Sequence, residues 1–107
     1  MLGVLNEEYV ERVLSLAEQI PAGRVTTYGA IAEVVGGGPR QVGRVLSVYG
    51  GPVPWWRVVR ADGVLPLCHD GVARAHHLEE GTSLRRSGRV DLAAAMWWPD
   101  DHMAANL

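Results

Sequence analysis

The sequence predicts a mainly α protein with a small β-hairpin, a single domain in winged helix-turn-helix style. Three observations predict it. Apolar residues recur at helical spacing up to Pro21, two short helix-like segments are joined by Gly36-Gly37-Gly38, and a β-branched run leads into Asp62-Gly63, a strong hairpin signal. The 107 residues suit one domain with one core, expected over 1–107.

Asn6 is placed to cap a first helix, with Glu7 and Glu8 in its first turn and Tyr9, Val10, Val13, Leu14, Ala17 and Ile20 on one face until Pro21 stops it. Thr26 or Thr27 can cap a second, YGAIAEVV, which ends at the three glycines. Pro39 sits at the first turn of a third helix, RQVGRVLSVY, running to Gly50-Gly51-Pro52. On it Arg40 and Arg44 share one face, while Val42, Val45, Leu46 and Tyr49 form the other. Gly43 in its middle costs about 1 kcal/mol relative to alanine, which suggests that something approaches its backbone closely. WRVVRA reads as a strand, with VLPL as its return. Asp70 is a candidate cap for a helix through GVARAHHLEEG closed by Gly81, SLRRSGRVDL reads as a hairpin or loop, and AAAMWWPDDHMAANL as a packed aromatic anchor with a tail that frays from about residue 99.

The net charge of −2 hides a division along the chain. Residues 21–60 carry Arg24, Arg40, Arg44, Arg57 and Arg60 against Glu33 alone, whereas residues 1–20 carry one Arg against four Glu and residues 61–107 four Arg against seven acids. Every basic residue is arginine, whose planar fork suits phosphates and bases. A basic helix beside a glycine turn points to a DNA-facing element. A lone Cys68 excludes an internal disulfide, and the first residues carry neither a signal-peptide pattern nor a membrane span, so an intracellular location, cytoplasmic or nucleoid-associated, is expected, with no membrane partner.

The run IPAGRVTTYGAIAEVVGGGPRQVGRVL, then VPWWRVVRADG and LEEGT, resembles the DNA-binding domain of the O6-alkylguanine-DNA alkyltransferases over roughly residues 9–81. That family carries Pro-Cys-His-Arg-Val, where the cysteine accepts the alkyl group and the histidine helps to ionise it. Here the motif reads Pro54-Trp55-Trp56-Arg57-Val58. The chain is therefore more similar to the alkyltransferase-like proteins, which bind alkylated guanine without repairing it, although their usual Pro-Trp-His-Arg-Val has histidine where Trp56 stands. Indole is no nucleophile and does not titrate near neutral pH; what it offers is a flat apolar face for an extruded base.

The resemblance implies a non-enzymatic sensor that flips O6-alkylguanine out of double-stranded DNA from the minor groove and flags it for nucleotide excision repair proteins. It implies DNA-binding roles for Tyr28, which presses on the lesion's 3′ phosphate, for Arg40, which fills the gap in the stack, and for Gln41, Gly43 and Arg44. It implies a lesion pocket of Leu46, Trp55, Trp56, Val58 and Cys68. Cys68 stands where the relatives place a tyrosine or an arginine, so a cation–π contact to the base would have to come from Arg60 or Arg74. Glu80 matches the glutamate that completes the Cys-His relay and is read as structural. No cofactor is expected, and the protein is expected to be monomeric. Three other readings compete: a sequence-specific helix-turn-helix regulator, an enzyme using Cys68 with His69, and a metal site at Cys68, His69, His76 and His77, whose spacing fits no standard zinc pattern.

Overall fold

The computed structural model describes residues 6–99. Helix α1 spans Glu7–Gln19, with Asn6 Oδ1 accepting from the Tyr9 N–H at 2.8 Å and Ile20 as its extended C-cap ahead of Pro21. Strand β1, Thr26–Thr27, runs directly into α2, Tyr28–Val35, and it is Thr27 whose hydroxyl caps that helix by accepting from the Ala30 N–H at 3.1 Å. Thr26 instead lies fully buried in the strand. Helix α3, Pro39–Tyr49, begins with Pro39 in its first turn, where a missing N–H costs nothing.

Helices α1, α2 and α3 pack on one another around Val13, Leu16, Ile20, Ile31, Val42, Val45 and Leu46, all of them essentially without solvent exposure. Each such aliphatic side chain contributes about 1.5–3 kcal/mol by leaving water. Tyr49 does not join them. It is 45% exposed at the end of α3, where the helix runs out beyond the core.

The turn between α2 and α3 depends on Gly37. Its φ is +72°, and a Cβ there would lie 2.6 Å from Gln41 Oε1 and 2.8 Å from the Tyr9 hydroxyl. That hydroxyl in turn donates to the Gly36 carbonyl at 3.1 Å, so α1 holds the turn from outside.

The mainly helical class with a small two-stranded sheet holds, but the sheet is not the expected hairpin. Only Val58–Val59 is strand, β2, and it pairs in parallel with β1, Thr26 opposite Val58 and Thr27 opposite Val59. The preceding Trp55–Arg57 forms a 3-10 turn, so the two tryptophans do not alternate across a strand. The Asp62-Gly63 turn does form, with Gly63 N–H donating to Arg60 O at 2.8 Å and Val64 N–H to Asp62 Oδ1 at 3.1 Å. No strand returns from it, because Gly63 O accepts from Val90 N–H at 2.9 Å and that edge is thereby taken. Gly63 has φ +84°, and a Cβ would come within 2.6 Å of Val90 O.

Helix α4 is Ala73–Glu80, closed by Gly81 in the left-handed conformation at φ +74°. Asp70 does not cap it. It sits at φ +66° in a 3-10 turn with His69 at φ +53°, two residues ahead of the actual N-cap Val72, so the chain turns too early for its carboxylate to reach the first helical N–H groups. The run SLRRSGRVDL does form a hairpin, bridged at Leu84 and Val90. Helix α5, Leu92–Ala95, follows, and Met96 bridges to Val25. Of the aromatic anchor, Trp97 packs on the core while Trp98 is 69% exposed; the fraying expected from about residue 99 falls almost wholly on 100–107, outside the described residues.

Substituting Gly37→Ala forces a Cβ into a left-handed backbone and against two polar side chains, so it should lower unfolding free energy by about 1–3 kcal/mol. Gly51→Ala, where nothing lies within 4 Å, serves as the neutral control. Urea denaturation of both variants reads the difference, and equal midpoints would refute the role given to Gly37.

Candidate nucleic-acid interface

Where the 3-10 turn meets α4, four segments are tied together. Arg57 donates from Nε to Glu80 Oε1 at 3.1 Å, from Nη2 to Glu80 Oε2 at 2.6 Å and from Nη1 to the Ile20 carbonyl at 2.8 Å. Glu80 also accepts from the Gly23 N–H at 3.3 Å and from the Trp56 indole Nε1–H at 3.0 Å. Burial alone would push the Glu80 carboxyl up, but the hydrogen bonds from Arg57, Gly23 and Trp56 prevail and hold it below its ordinary 4.5. Glu80 thus ties these segments together, and one of its donors is an indole.

The indole of Trp56 stacks on His76 at 3.7 Å with planes 8° apart, and the Arg57 guanidinium carbon lies 5.4 Å from its ring. The next residue of α4, His77, is completely buried: its Nε2–H donates to the Trp56 carbonyl at 2.7 Å, and its Nδ1 accepts from the Thr82 hydroxyl at 2.8 Å. Burial depresses its pKa below 6.5, in keeping with that neutral tautomer. His69 donates from Nε2 to the Leu46 carbonyl at 2.8 Å and lies 4.6 Å from the Trp55 ring. Each of these histidines is thus committed to a protein partner, and among the described residues no group of three or more metal-binding side chains gathers.

Beside this framework opens a cleft of about 300 Å³, lined by Tyr28, Gly43 and Ser47 on one part of its wall and by Arg60 and residues 64–68 on the rest. That volume is at the lower end of small-ligand sites. Tyr28 has its pKa pushed up to about 12, chiefly by burial, then by Cys68, with Arg60 acting the other way, so its hydroxyl is a donor at any physiological pH. Burial also pushes the Cys68 thiol up, away from the thiolate a nucleophile requires. The neighbouring His69 uses its Nε2 to bond the Leu46 carbonyl.

The structure separates the residues that the sequence groups as a pocket. Cys68 lines the cleft; Leu46, Trp55 and Val58 lie in the core at 1%, 4% and 0% exposure; Trp56 is engaged with His76 and Glu80. Trp55 is packed edge-on to Trp56 and covered by His69, so in this state its face is not free. Of the DNA-facing set, Tyr28 and Gly43 line the cleft, Arg40 and Arg44 are exposed without an ion pair among the described residues, and Gln41 is half-buried beside the turn. Between the two candidates for a cation beside the cleft, Arg60 lines it and Arg74 does not. Ser47 carries no sequence signal beyond its position one turn after Gly43. The sequence also leaves His77 without a role, because a buried histidine bonded to a loop threonine has no local pattern.

Gly43 finds no need inside the protein. A Cβ there would meet Tyr28 Cδ1 and Cε1 at 3.7 Å, an ordinary contact.

Residues 8–81 match the family model for the 6-O-methylguanine DNA methyltransferase DNA-binding domain. The chain is 36% identical over 98 residues to the DNA base-flipping protein of Escherichia coli K12, covering 86% of this chain and 76% of that one. It is 32% identical over 99 residues to the DNA base-flipping protein of Vibrio parahaemolyticus, covering 87% and 99%. A methylated-DNA–protein-cysteine methyltransferase of Methanothermobacter thermautotrophicus is 41% identical over 81 residues, 72% of this chain but 46% of that one. Among solved structures, S. pombe Atl1 in complex with damaged DNA containing O6-carboxymethylguanine superposes with a TM-score of 0.74 at 28% identity, covering 90% of this chain and all of that one.

Glu80→Gln tests the tie between segments. At pH 7 it should lower stability by about 2–4 kcal/mol, because Arg57 keeps its charge and loses its counter-ion. A carboxyl whose folded pKa is depressed stabilises the fold above its unfolded value and loses that contribution as pH falls through the folded value. The gap between wild type and Glu80→Gln in urea unfolding should therefore narrow between pH 5 and pH 3, and a gap independent of pH would count against the assignment.

Proposed function

Because the chain belongs to the 6-O-methylguanine DNA methyltransferase DNA-binding-domain family, we propose that it binds O6-alkylguanine in duplex DNA by flipping the base, without transferring the alkyl group, and marks it for nucleotide excision repair. The observation that carries this reading is the site itself: Trp55 and Trp56 occupy the positions of the family's cysteine and histidine, and the indole of Trp56 holds Glu80, the relay's last member. The Escherichia coli and Vibrio relatives, named base-flipping proteins, and the Atl1 complex with damaged DNA support its binding of damaged DNA with base flipping. The absence of transfer is supported by Cys68, the single cysteine of the sequence, whose thiol is pushed up by burial.

In this proposal α3 docks in the minor groove. Gly43, which the protein itself does not require, lets the backbone of α3 approach the duplex. Arg40 enters the stack where the base has left, and Tyr28 donates its hydroxyl to the neighbouring phosphate. The base enters the cleft beside Arg60 and Cys68. Stacking on an aromatic face is worth about 1–3 kcal/mol, whereas extrusion costs a few, so stacking alone does not offset it and Arg40 has to contribute. To reach the face of Trp55, the base must displace His69, which sits in a segment already strained by two successive left-handed residues, His69 and Asp70.

The direct test compares duplexes with and without one O6-methylguanine by electrophoretic mobility shift, followed by intact-protein mass. Preference for the lesion in any sequence context with unchanged mass is expected. Preference for a sequence instead would favour a transcription regulator, and one added methyl on Cys68 would make the protein an enzyme.

Arg40→Ala should cost about 1–3 kcal/mol on lesion DNA and much less on intact DNA, while Arg44→Ala should make the salt dependence shallower by about one unit on both. Equal losses on the two duplexes for Arg40→Ala would remove its role in the stack.

Trp55→Cys alone should not restore methyl transfer. Trp56 gives a new thiol no base, and a thiol near pKa 8.5 is only a few per cent ionised at pH 7. Trp55→Cys with Trp56→His should be faster, since the side chain at 56 already reaches Glu80. Tritiated methyl transfer from O6-methylguanine DNA compares the two, and rapid transfer by the single variant would contradict this account.

A further inference from the structure

The arginines of the carboxyl-terminal third look, in the charge count, like a minority among acids. The fold gathers them. Arg85, Arg86 and Arg89 stand exposed on the hairpin of residues 84–90, where Arg85 N–H donates to Arg89 O at 2.7 Å and Gly88 N–H to Arg85 O at 2.9 Å. With Ser87 and Asp62 they line an open groove of about 390 Å³. Arg74, from the first turn of α4, also reaches the tip, its Nη1 lying 3.6 Å from where a Cβ on Gly88 would be. Asp62 is the one carboxylate in the groove's lining, and it is already engaged by Arg60 at 3.4 Å. That exposed pair contributes little to stability, and Asp62, which also feels the charge of Arg89, is a single carboxylate against the three arginines of the groove.

The cluster is neither floppy nor remote. Val90 at the hairpin's base is 2% exposed in a small core with Val25, Val59 and Ala95, and its N–H donates to Gly63 O. Arg60 joins the groove to the cleft: it pairs with Asp62 on one side and lines the wall with Tyr28, Gly43 and Cys68 on the other.

We propose that this hairpin is a second phosphate-binding surface, which grips the backbone of the same duplex beyond the flipped nucleotide. The inference rests on the proposed function for the identity of the duplex, and on the hairpin's own geometry for the contact. Guanidinium forks on a short rigid turn suit successive phosphate oxygens, each reached by parallel N–H donors. A contact of this kind carries no sequence or lesion information; it adds affinity on any duplex.

The experiment measures affinity by fluorescence anisotropy from 50 to 200 mM salt, for duplexes with and without one O6-methylguanine. The proteins are the wild-type chain, R85A/R86A/R89A, and R85K/R86K/R89K. The alanine variant should bind both duplexes more weakly by the same factor, keep the lesion-to-normal ratio, and show a salt slope shallower by about 2–3, since each phosphate contact contributes about 0.9. The lysine variant keeps the charge and should retain the wild-type slope. An alanine variant with the wild-type slope would overturn the proposal and leave the hairpin for a protein partner. If the wild type shows no lesion preference, the functional reading fails while the slope comparison still decides the hairpin.

Discussion

The turn that carries the two tryptophans hangs on one partly buried ion pair, Arg57 with Glu80. Its geometry is bidentate, and the atoms left over are used as well: the third guanidinium nitrogen takes the Ile20 carbonyl, and the carboxylate takes the Gly23 N–H and the Trp56 indole. The end of α1, the loop into β1, the 3-10 turn and α4 thereby share one joint. A desolvated pair of charges is stabilising only when its remaining hydrogen-bonding capacity is satisfied in this way. His77 fastens the same turn from the other residue of α4, by the Trp56 carbonyl. The turn bearing the two tryptophans is thereby held from several sides, although the strand that follows it is two residues long.

This constraint lets a tryptophan at position 56 serve as a structural member of the joint. The indole of Trp56 answers Glu80 with its single N–H and adds a broad surface for His76 to stack against. With that N–H and those of Arg57 and Gly23 aimed at it, the Glu80 carboxyl is held below its ordinary range. The contact with Trp56 passes no proton, because indole does not titrate in the accessible range. The cleft is assembled from other parts, Tyr28, Arg60, Cys68 and the backbone around Gly43, which depend on α3 and on the turn after β2.

Much of the fold was legible where the signal is local. Asn6, Pro39 and Gly81 mark helix ends through interactions within three or four residues, and each stands where its chemistry requires. The failures are non-local. Asp62-Gly63 does make its turn, but whether a strand returns depends on Val90, far along the chain, which claims the edge first. Asp70 has the residue type of a cap and the wrong backbone, set by the sharp turn at His69. In the site, Tyr28 and Gly43 could be placed from motif and spacing, since both lie on helices whose faces are fixed by their apolar residues. Trp55 could not, because a tryptophan reads alike whether its ring faces a cleft or, as here, the core under His69. The three arginines of residues 85–89 stand together in the sequence, but their closeness to Arg60 and the cleft, by way of Asp62, is set by the fold.

The hydroxyl of Tyr9 reaches from α1 to the Gly36 carbonyl, twenty-seven residues on in the chain, and stands over Gly37 where any side chain would collide with it. The bend between α2 and α3 is therefore shaped by a helix that takes no part in facing the cleft. A two-helix fragment cut from residues 26–50 would lack this brace and would have to lose the freedom of three adjacent glycines on meeting its target. In the intact chain that entropy is lost during folding, before any ligand arrives. Preorganisation of this kind leaves the free energy of association available for distorting the partner rather than for ordering the protein.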